Sequence, residues 1–184
     1  MSDVSVRRFE TMTGALFVGA AVIVQFYFLG PAIAGLNAGL GISFLIWLLV
    51  DPRPKIGHQK FAFVYIIGLI VQGAHVLEEY LTGFYLEFPG LFGYQWTAGL
   101  FLAFNLIWLG LFSLAAVGIF FQSRLALLLV LFFALVGGIG NGLFHPALSI
   151  WEGRYFPGLV TSFFLFIIGN VIFRLLFQRQ GTRA

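Results

Sequence analysis

Six long apolar runs dominate this sequence, and they restrict its fold more than any other feature. They cover approximately residues 13–30, 32–50, 61–82, 97–121, 124–144 and 157–177. Each is about as long as the 17–25 residues that a helix needs to cross a bilayer. Only 9% of the residues are charged, against about 25% in globular proteins. The sequence therefore predicts one all-α, polytopic membrane helix bundle with about six transmembrane helices, formed by residues 1–184.

Proline and glycine mark the predicted connections between these spans, because both residues end helices readily. The residues concerned are Pro31, Pro52, Pro54, Gly83, Pro89, Gly90, Gly93, Pro146, Gly153 and Pro157. Within the fifth span, Gly137-Gly138-x-Gly140-x-Gly142 places four glycines close together. Small residues let helix backbones approach closely in membranes. This run therefore predicts a tight contact between the fifth span and another helix.

The cationic residues are distributed very unevenly about the predicted spans. Of the 10 Lys and Arg residues, only Arg154 falls on one side. The others are Arg7, Arg8, Arg53, Lys55, Lys60, Arg124, Arg174, Arg179 and Arg183. Short cytoplasmic loops retain Lys and Arg, so both termini are predicted to be cytoplasmic and the membrane to be the cell's inner or plasma membrane. The sequence has no basic surface patch, and we expect no nucleic-acid partner.

The segment His75-Val76-Leu77-Glu78-Glu79 places three ionisable groups in the outer third of the third span. The whole chain has only 7 acidic residues and 3 histidines. Positions i, i+3 and i+4 share one face of a helix, so His75, Glu78 and Glu79 are predicted to face the same way. Ionisable groups at membrane depth are costly, and they indicate a functional site by default.

Asn141 and His145 form a second polar pair, at positions i and i+4 near the outer end of the fifth span. The third and fifth spans both run outward, so the two polar faces are predicted to meet at the same depth. Arg154 lies in the outer loop that follows. From there it could neutralise Glu78 or Glu79, or bind an anionic substrate group.

Imidazoles and carboxylates together are a normal ligand set for Zn²⁺, Fe²⁺ or Mn²⁺. Cysteine is absent, which excludes thiolate ligands. The predicted ligands of one divalent metal ion are His75, Glu78, Glu79, Asn141 and His145. Without a metal, Glu78, Glu79 and Arg154 would be the catalytic residues of acid–base chemistry, with His75 as the partner of a carboxyl group. A third interpretation is a structural cluster that joins helices by hydrogen bonds.

Three motifs occur here in order: His75-x-x-Glu78-Glu79, Asn141-x-x-x-His145 and Tyr155-x-Pro157-Gly158-x-x-Thr161. Over roughly residues 70–165 they resemble the HXXEE-motif family of small integral membrane proteins. The resemblance implies that His75, Glu78, Glu79, Asn141 and His145 form one constellation. It implies no particular reaction, because the activity of that family is unassigned.

The 24 phenylalanines provide bulky apolar walls that suit a lipophilic molecule entering from the bilayer, or a neighbouring membrane subunit. We therefore expect membrane lipids as partners. The favoured function is a metal-dependent membrane enzyme near the outer face, acting on a small or lipophilic substrate by hydrolytic, isomerase, hydratase or oxidative chemistry. A proton-coupled transporter or carrier, and a non-catalytic accessory subunit of a larger membrane complex, are the alternatives.

Overall fold

The computed structural model describes residues 3–54 and 56–177, in which every regular element is a helix. The helices are α1 (Asp3–Leu29), α2 (Ala34–Val50), α3 (His58–Thr82), α4 (Phe84–Gly90), α5 (Ala98–Phe120), α6 (Arg124–Phe132), α7 (Asn141–Glu152) and α8 (Leu159–Phe177). A 3-10 turn, Gly30–Ile33, joins α1 to α2, and a π-helical segment, Phe133–Gly140, joins α6 to α7. The predicted all-α class is confirmed.

Among the described residues, five helical stretches are long and apolar enough to cross a membrane. They are Ser5–Val50, His58–Thr82, Ala98–Phe120, Arg124–Glu152 and Leu159–Phe177. The first has 46 residues. At about 1.5 Å per residue it would be roughly 70 Å long, more than twice the thickness of a bilayer core. A single straight crossing therefore cannot account for it.

The first stretch folds back on itself as a helical hairpin. The chain turns at Gly30, whose φ of 68° is in the left-handed region that glycine adopts without strain. A Cβ placed on Gly14 of α1 would lie only 3.2 Å from the side chain of Phe44 in α2. The two legs are thus packed side by side. With the four further apolar stretches, residues 3–54 and 56–177 contain six long helical segments. That all six cross a membrane stays a prediction.

Predicted helix boundaries differ from the structure at three places, the first being α1, which begins at Asp3 and not at residue 13. The connection after the third span was predicted as a loop, and it contains the short helix α4. The prediction that the fifth span ends at residue 144 is wrong, because α7 continues through Pro146 to Glu152. Proline removes one backbone donor, toward the carbonyl four residues earlier, while the hydrogen bonds on either side can continue the helix. The longer helix carries His145 on its first turns instead of on a loop.

The π-helical segment crosses α8 at two glycines. A Cβ built on Gly138 would lie 2.5 Å from the Cα of Gly169, and one built on Gly169 would lie 2.6 Å from the Cα of Gly138. Real side chains do not fit at such distances. The close contact predicted from the glycine run is therefore confirmed. It brings α7 alongside α8 and the residues that precede α8.

A charged cluster joins the helices at the end of the bundle opposite to His75 and His145. Arg124, at the start of α6, donates from Nε to Oδ1 of Asp51 at 2.7 Å, and its guanidinium lies 4.5 Å from the ring centre of Trp47. The indole of Trp47 donates to the Arg124 carbonyl at 2.7 Å. Burial alone would raise the pKa of Asp51, but the hydrogen bond and charge of Arg124 lower it below its usual value. The cluster ties the α1–α2 hairpin to α6.

The contact between Gly138 and Gly169 predicts opposite changes in melting temperature for two Gly→Ala substitutions. Alanine favours a helix by about 0.8–1 kcal/mol over glycine. Gly110 of α5 has open space around it, so we expect Gly110→Ala to leave the melting temperature in detergent unchanged or raised. Gly169→Ala should lower it, because overpacking costs about 1–3 kcal/mol. Tryptophan fluorescence measures both melting temperatures. Equal melting temperatures for the two variants would contradict the close contact between Gly138 and Gly169.

Candidate metal centre

Three buried side chains from two helices converge on one point. His75 and Glu79 lie one turn apart on α3, and His145 comes from α7. Nε2 of His75 lies 3.5 Å from Oε1 of Glu79, and Nε2 of His145 lies 3.4 Å from the same oxygen. The exposed fractions are 0% for His75, 1% for His145 and 6% for Glu79. The predicted meeting of the third and fifth spans therefore occurs at these residues.

The spacing of the three atoms matches ligation better than hydrogen bonding. Hydrogen bonds between nitrogen and oxygen are about 2.7–3.2 Å long, and both gaps exceed that range. Around a tetrahedral metal with bonds of about 2.0–2.1 Å, neighbouring ligand atoms lie about 3.3–3.4 Å apart. All three ligand atoms lie within 4.8 Å of one another.

The contacts of His145 determine which of its nitrogens carries the proton. Nδ1 lies 2.6 Å from the carbonyl oxygen of Pro157. A carbonyl only accepts, so Nδ1 must donate. In the neutral imidazole Nε2 then has a free lone pair, and this nitrogen is the one nearest to Glu79. Metal-binding histidines are held in this way, with the second ring nitrogen donating to an oxygen.

The proton of neutral His75 also lies on Nδ1, as its contact with Thr161 shows. The hydroxyl of Thr161 donates its only hydrogen to Oε2 of Glu78 in a short hydrogen bond. Nδ1 of His75 lies 2.8 Å from the oxygen of that hydroxyl, which can therefore only accept from it. Nε2 of His75 is left with its lone pair, and it is buried without any hydrogen-bond partner. Both imidazoles thus present an acceptor to the Glu79 carboxylate.

Glu78 has a different environment from its neighbour Glu79. Its carboxylate accepts from the backbone N–H groups of Val160 at 2.9 Å and Thr161 at 2.7 Å, and from the hydroxyl of Tyr155 at 2.6 Å. These N–H groups belong to the first turn of α8, where helices lack internal acceptors and attract anions. Burial and the bond to Glu78 raise the pKa of Tyr155, which keeps its proton for donation. Glu78 thus anchors α8 to α3.

Gly158, in the loop between α7 and α8, leaves room for His75 and His145 to contact each other. Its φ is 89°, in the left-handed region. A Cβ at this position would lie 2.5 Å from Cε1 of His145 and 2.9 Å from Cε1 of His75. The rings themselves are in an edge-to-face arrangement with centroids 4.8 Å apart. Any side chain at position 158 would therefore push into both imidazoles.

Aromatic rings surround the centre on the side of α4 and α7. The ring centroids of Phe84, Phe144 and Phe156 lie 5.5, 5.6 and 6.5 Å from that of His145. Phe156 is fully buried and Phe84 is 8% exposed. These rings exclude water, so any charge in the cluster is poorly screened.

The remaining predicted site residues lie around this cluster. Arg154 is half exposed and pairs with Glu87 at 2.8 Å and Glu152 at 3.5 Å. The ion pair of Arg154 with Glu78 or Glu79 that the sequence left open is not formed among the described residues. Asn141 is the half-buried first residue of α7, one turn before His145. The ligand roles of Asn141 and Glu78, and the catalytic roles of Glu78, Glu79 and Arg154, stay predictions.

The contacts that Pro157, Gly158 and Thr161 make with the histidines were not predicted from the sequence. The sequence could not indicate that the backbone carbonyl of Pro157 contacts His145, because every residue has a backbone carbonyl. Gly158 and Thr161 do have a signal in the sequence, since they belong to the third motif that carries the resemblance. Their spacing places both at the start of α8, where Gly158 packs against both imidazoles and the hydroxyl of Thr161 contacts His75.

No protein-family model, curated protein or solved structure matches this chain. The functional inference therefore rests on the geometry of the site. Two neutral imidazoles and one carboxylate, held by oxygens of Pro157 and Thr161, form a group that can hold a metal ion.

The hydrogen bonds of Thr161 can be tested with two substitutions. Thr161→Val removes the hydroxyl that orients His75, and we expect Zn²⁺ affinity to fall about 10–100-fold, the usual effect of losing such a partner. Thr161→Ser keeps the hydroxyl and should keep the affinity. Competition against a fluorescent zinc chelator in detergent measures both. An unchanged affinity in Thr161→Val would show that Thr161 does not orient His75.

Proposed function

We propose that this protein is an integral membrane protein whose His75–Glu79–His145 cluster binds one divalent metal ion, namely Zn²⁺, Fe²⁺ or Mn²⁺. The observation that carries the proposal is the convergence of one carboxylate oxygen and two imidazole nitrogens, which are all acceptors when both rings are neutral. Oε1 of Glu79 faces two Nε2 atoms at 3.4 and 3.5 Å. The acceptor role of each Nε2 follows from the contact of its Nδ1 with an oxygen.

A cluster held only by hydrogen bonds accounts less well for this arrangement. With both imidazoles neutral, one proton on Glu79 would serve one ring and leave the other buried lone pair unpaired. An unsatisfied buried polar group costs about 1–3 kcal/mol, and more where a carboxylate is desolvated. A metal cation satisfies all three acceptors at once. Two histidines and one carboxylate are also a known ligand set for zinc and for non-haem iron.

We further propose that the centre is catalytic. Structural zinc sites have four protein ligands, whereas catalytic sites have three and leave one position for water or substrate. A bound metal of this kind acts as a Lewis acid on that water or substrate. The chain's own residues have defined tasks. Thr161 and Pro157 orient the imidazoles, Phe84 and Phe156 exclude water, and Glu78 holds α8 in place.

The substrate that fits this setting is a small or lipophilic molecule. The three side chains of the centre are buried inside an apolar bundle beside aromatic rings. Hydrolytic, isomerase, hydratase and oxidative reactions are all compatible with three ligands and one free position. The membership of the chain in the HXXEE-motif family is likewise proposed, on its three motifs.

We propose that both termini face the cytoplasm, with the metal centre near the outer face of the inner or plasma membrane. Arg7, Arg53 and Arg124 support this orientation, since Asp51 pairs with all three and they therefore lie at one end of the bundle. The only cation near the opposite end of the described residues is Arg154. Lys55, Arg179 and Arg183 lie outside the residues that the structure describes.

The metal proposal predicts the metal content of purified protein. Elemental analysis in detergent should find about one Zn, Fe or Mn per chain, and Glu79→Gln should remove it with little change in melting temperature. Glu87→Gln is the matched control, because Glu87 pairs with Arg154 away from the cluster, and it should keep the metal. A Glu79→Gln variant that keeps the metal but melts markedly lower would support a structural cluster instead.

The orientation predicts which positions an impermeant thiol reagent can reach. The chain has no cysteine, so single-cysteine variants have no background. Gly153→Cys, at the exposed end of α7, should be labelled in intact cells, and Arg53→Cys should be labelled only after the membrane is opened. Labelling of Arg53→Cys alone in intact cells would reverse the orientation and place the metal centre near the inner face.

A further inference from the structure

A groove between α1 and α5 opens sideways from the bundle, away from the metal centre. Its volume is about 470 Å³, within the roughly 300–1,000 Å³ that ligand sites occupy. Val24, Phe28 and Ile107 line it and are 53%, 61% and 64% exposed. Because these residues belong to membrane-length helices, the groove opens toward the apolar part of a bilayer.

Contacts between aromatic and backbone groups close the groove at both ends. At one end, Phe17 of α1 packs edge-on against Trp108 of α5 with ring centroids 6.3 Å apart. At the other end, the indole of Trp96 donates to the carbonyl of Leu29 at 3.1 Å. From Phe17 to Leu29 the groove is about 18 Å long at 1.5 Å per residue. It is a bounded site, shorter than the roughly 30 Å that a membrane-crossing partner helix would occupy.

Gln25 is the one polar side chain in the lining of this groove. It is only 6% exposed, and neither Nε2 nor Oε1 of its amide has a hydrogen-bond partner. Burying an amide without partners costs about 1–3 kcal/mol in proteins. Leucine at this position would avoid that cost. The amide is therefore a feature that a ligand in the groove would explain.

We propose that the groove binds a lipid-like molecule from the bilayer, whose chain lies along α1 and α5 and whose hydroxyl pairs with Gln25. Nε2 needs an acceptor and Oε1 needs a donor, and a hydroxyl group provides both. Esters, ketones and ethers only accept, so they would leave Oε1 unpaired. The ligand class is thus a long-chain or prenyl alcohol, or another lipid with a free hydroxyl. Both amide atoms are buried, so binding requires the Gln25 side chain to turn its amide into the groove.

This site is separate from the metal centre. The groove shares Leu29 with the apolar cluster that contains Phe84, and Phe84 in turn contacts His145. Side chains thus lie between the groove and the histidines. Ligand binding in the groove requires no metal, and a test on chelator-treated protein separates a failure here from a failure of the metal proposal.

The test uses a photoactivatable analogue of hexadecan-1-ol with full-length protein in phosphatidylcholine vesicles. We expect saturable labelling of peptides from α1 and α5, displaced by hexadecan-1-ol at concentrations at least tenfold below those needed with hexadecane. Gln25→Leu should abolish this preference while melting no lower than the wild type. Ala103→Phe, which fills the groove, should lose the labelling, and Ala38→Phe on the exposed face of α2 should retain it.

Three results would overturn the proposal. Equal displacement by hexadecane and hexadecan-1-ol would show an apolar crevice without recognition of a hydroxyl. An unchanged preference in Gln25→Leu would remove the role of the amide. Crosslinks from the groove to a second protein chain, with no saturable lipid labelling, would show that a protein helix is the occupant.

Discussion

Three buried acceptor atoms face one another in this bundle, and the local structure is arranged around them. Oε1 of Glu79 lies 3.4–3.5 Å from two imidazole nitrogens. In an apolar, poorly hydrated interior such atoms repel unless a cation lies among them. The orientation of each ring is set from outside the cluster, by Thr161 at 2.8 Å and by the carbonyl of Pro157 at 2.6 Å. The cluster is therefore built to accept positive charge.

The support for this cluster comes from backbone features that lie close together in the chain. The tight turn at Gly158 presents the Pro157 carbonyl and leaves room for both rings. The next residues begin α8, and their N–H groups hold Glu78. At mid-depth, Gly138 and Gly169 let the π-helical segment approach α8, which sets the position of α7. Packing of backbones thus determines where His145 meets α3.

The sequence predicted the class of the fold and the pairing of His75 with Glu79, because both follow from helix length and from the i, i+4 repeat. It predicted Glu78 and Glu79 as ligands of one metal ion, and the separate environment of Glu78 at the start of α8 was not predicted. Adjacent helix residues point about 100° apart, and which of them faces a partner depends on how α3 is rotated in the bundle. The partners of Arg154 depend on loop positions, and the continuation through Pro146 depends on packing. None of these is encoded in local periodicity.

The most direct measurement is X-ray absorption at the metal edge of protein purified from membranes. A metal held by His75, Glu79 and His145 should show nitrogen and oxygen neighbours at about 2.0–2.2 Å together with the outer scattering typical of two imidazoles. The double variant His75→Ala with His145→Ala should lose that imidazole signal. The spectrum of a fully hydrated ion, or an imidazole signal unchanged in the double variant, would contradict a metal centre at this cluster.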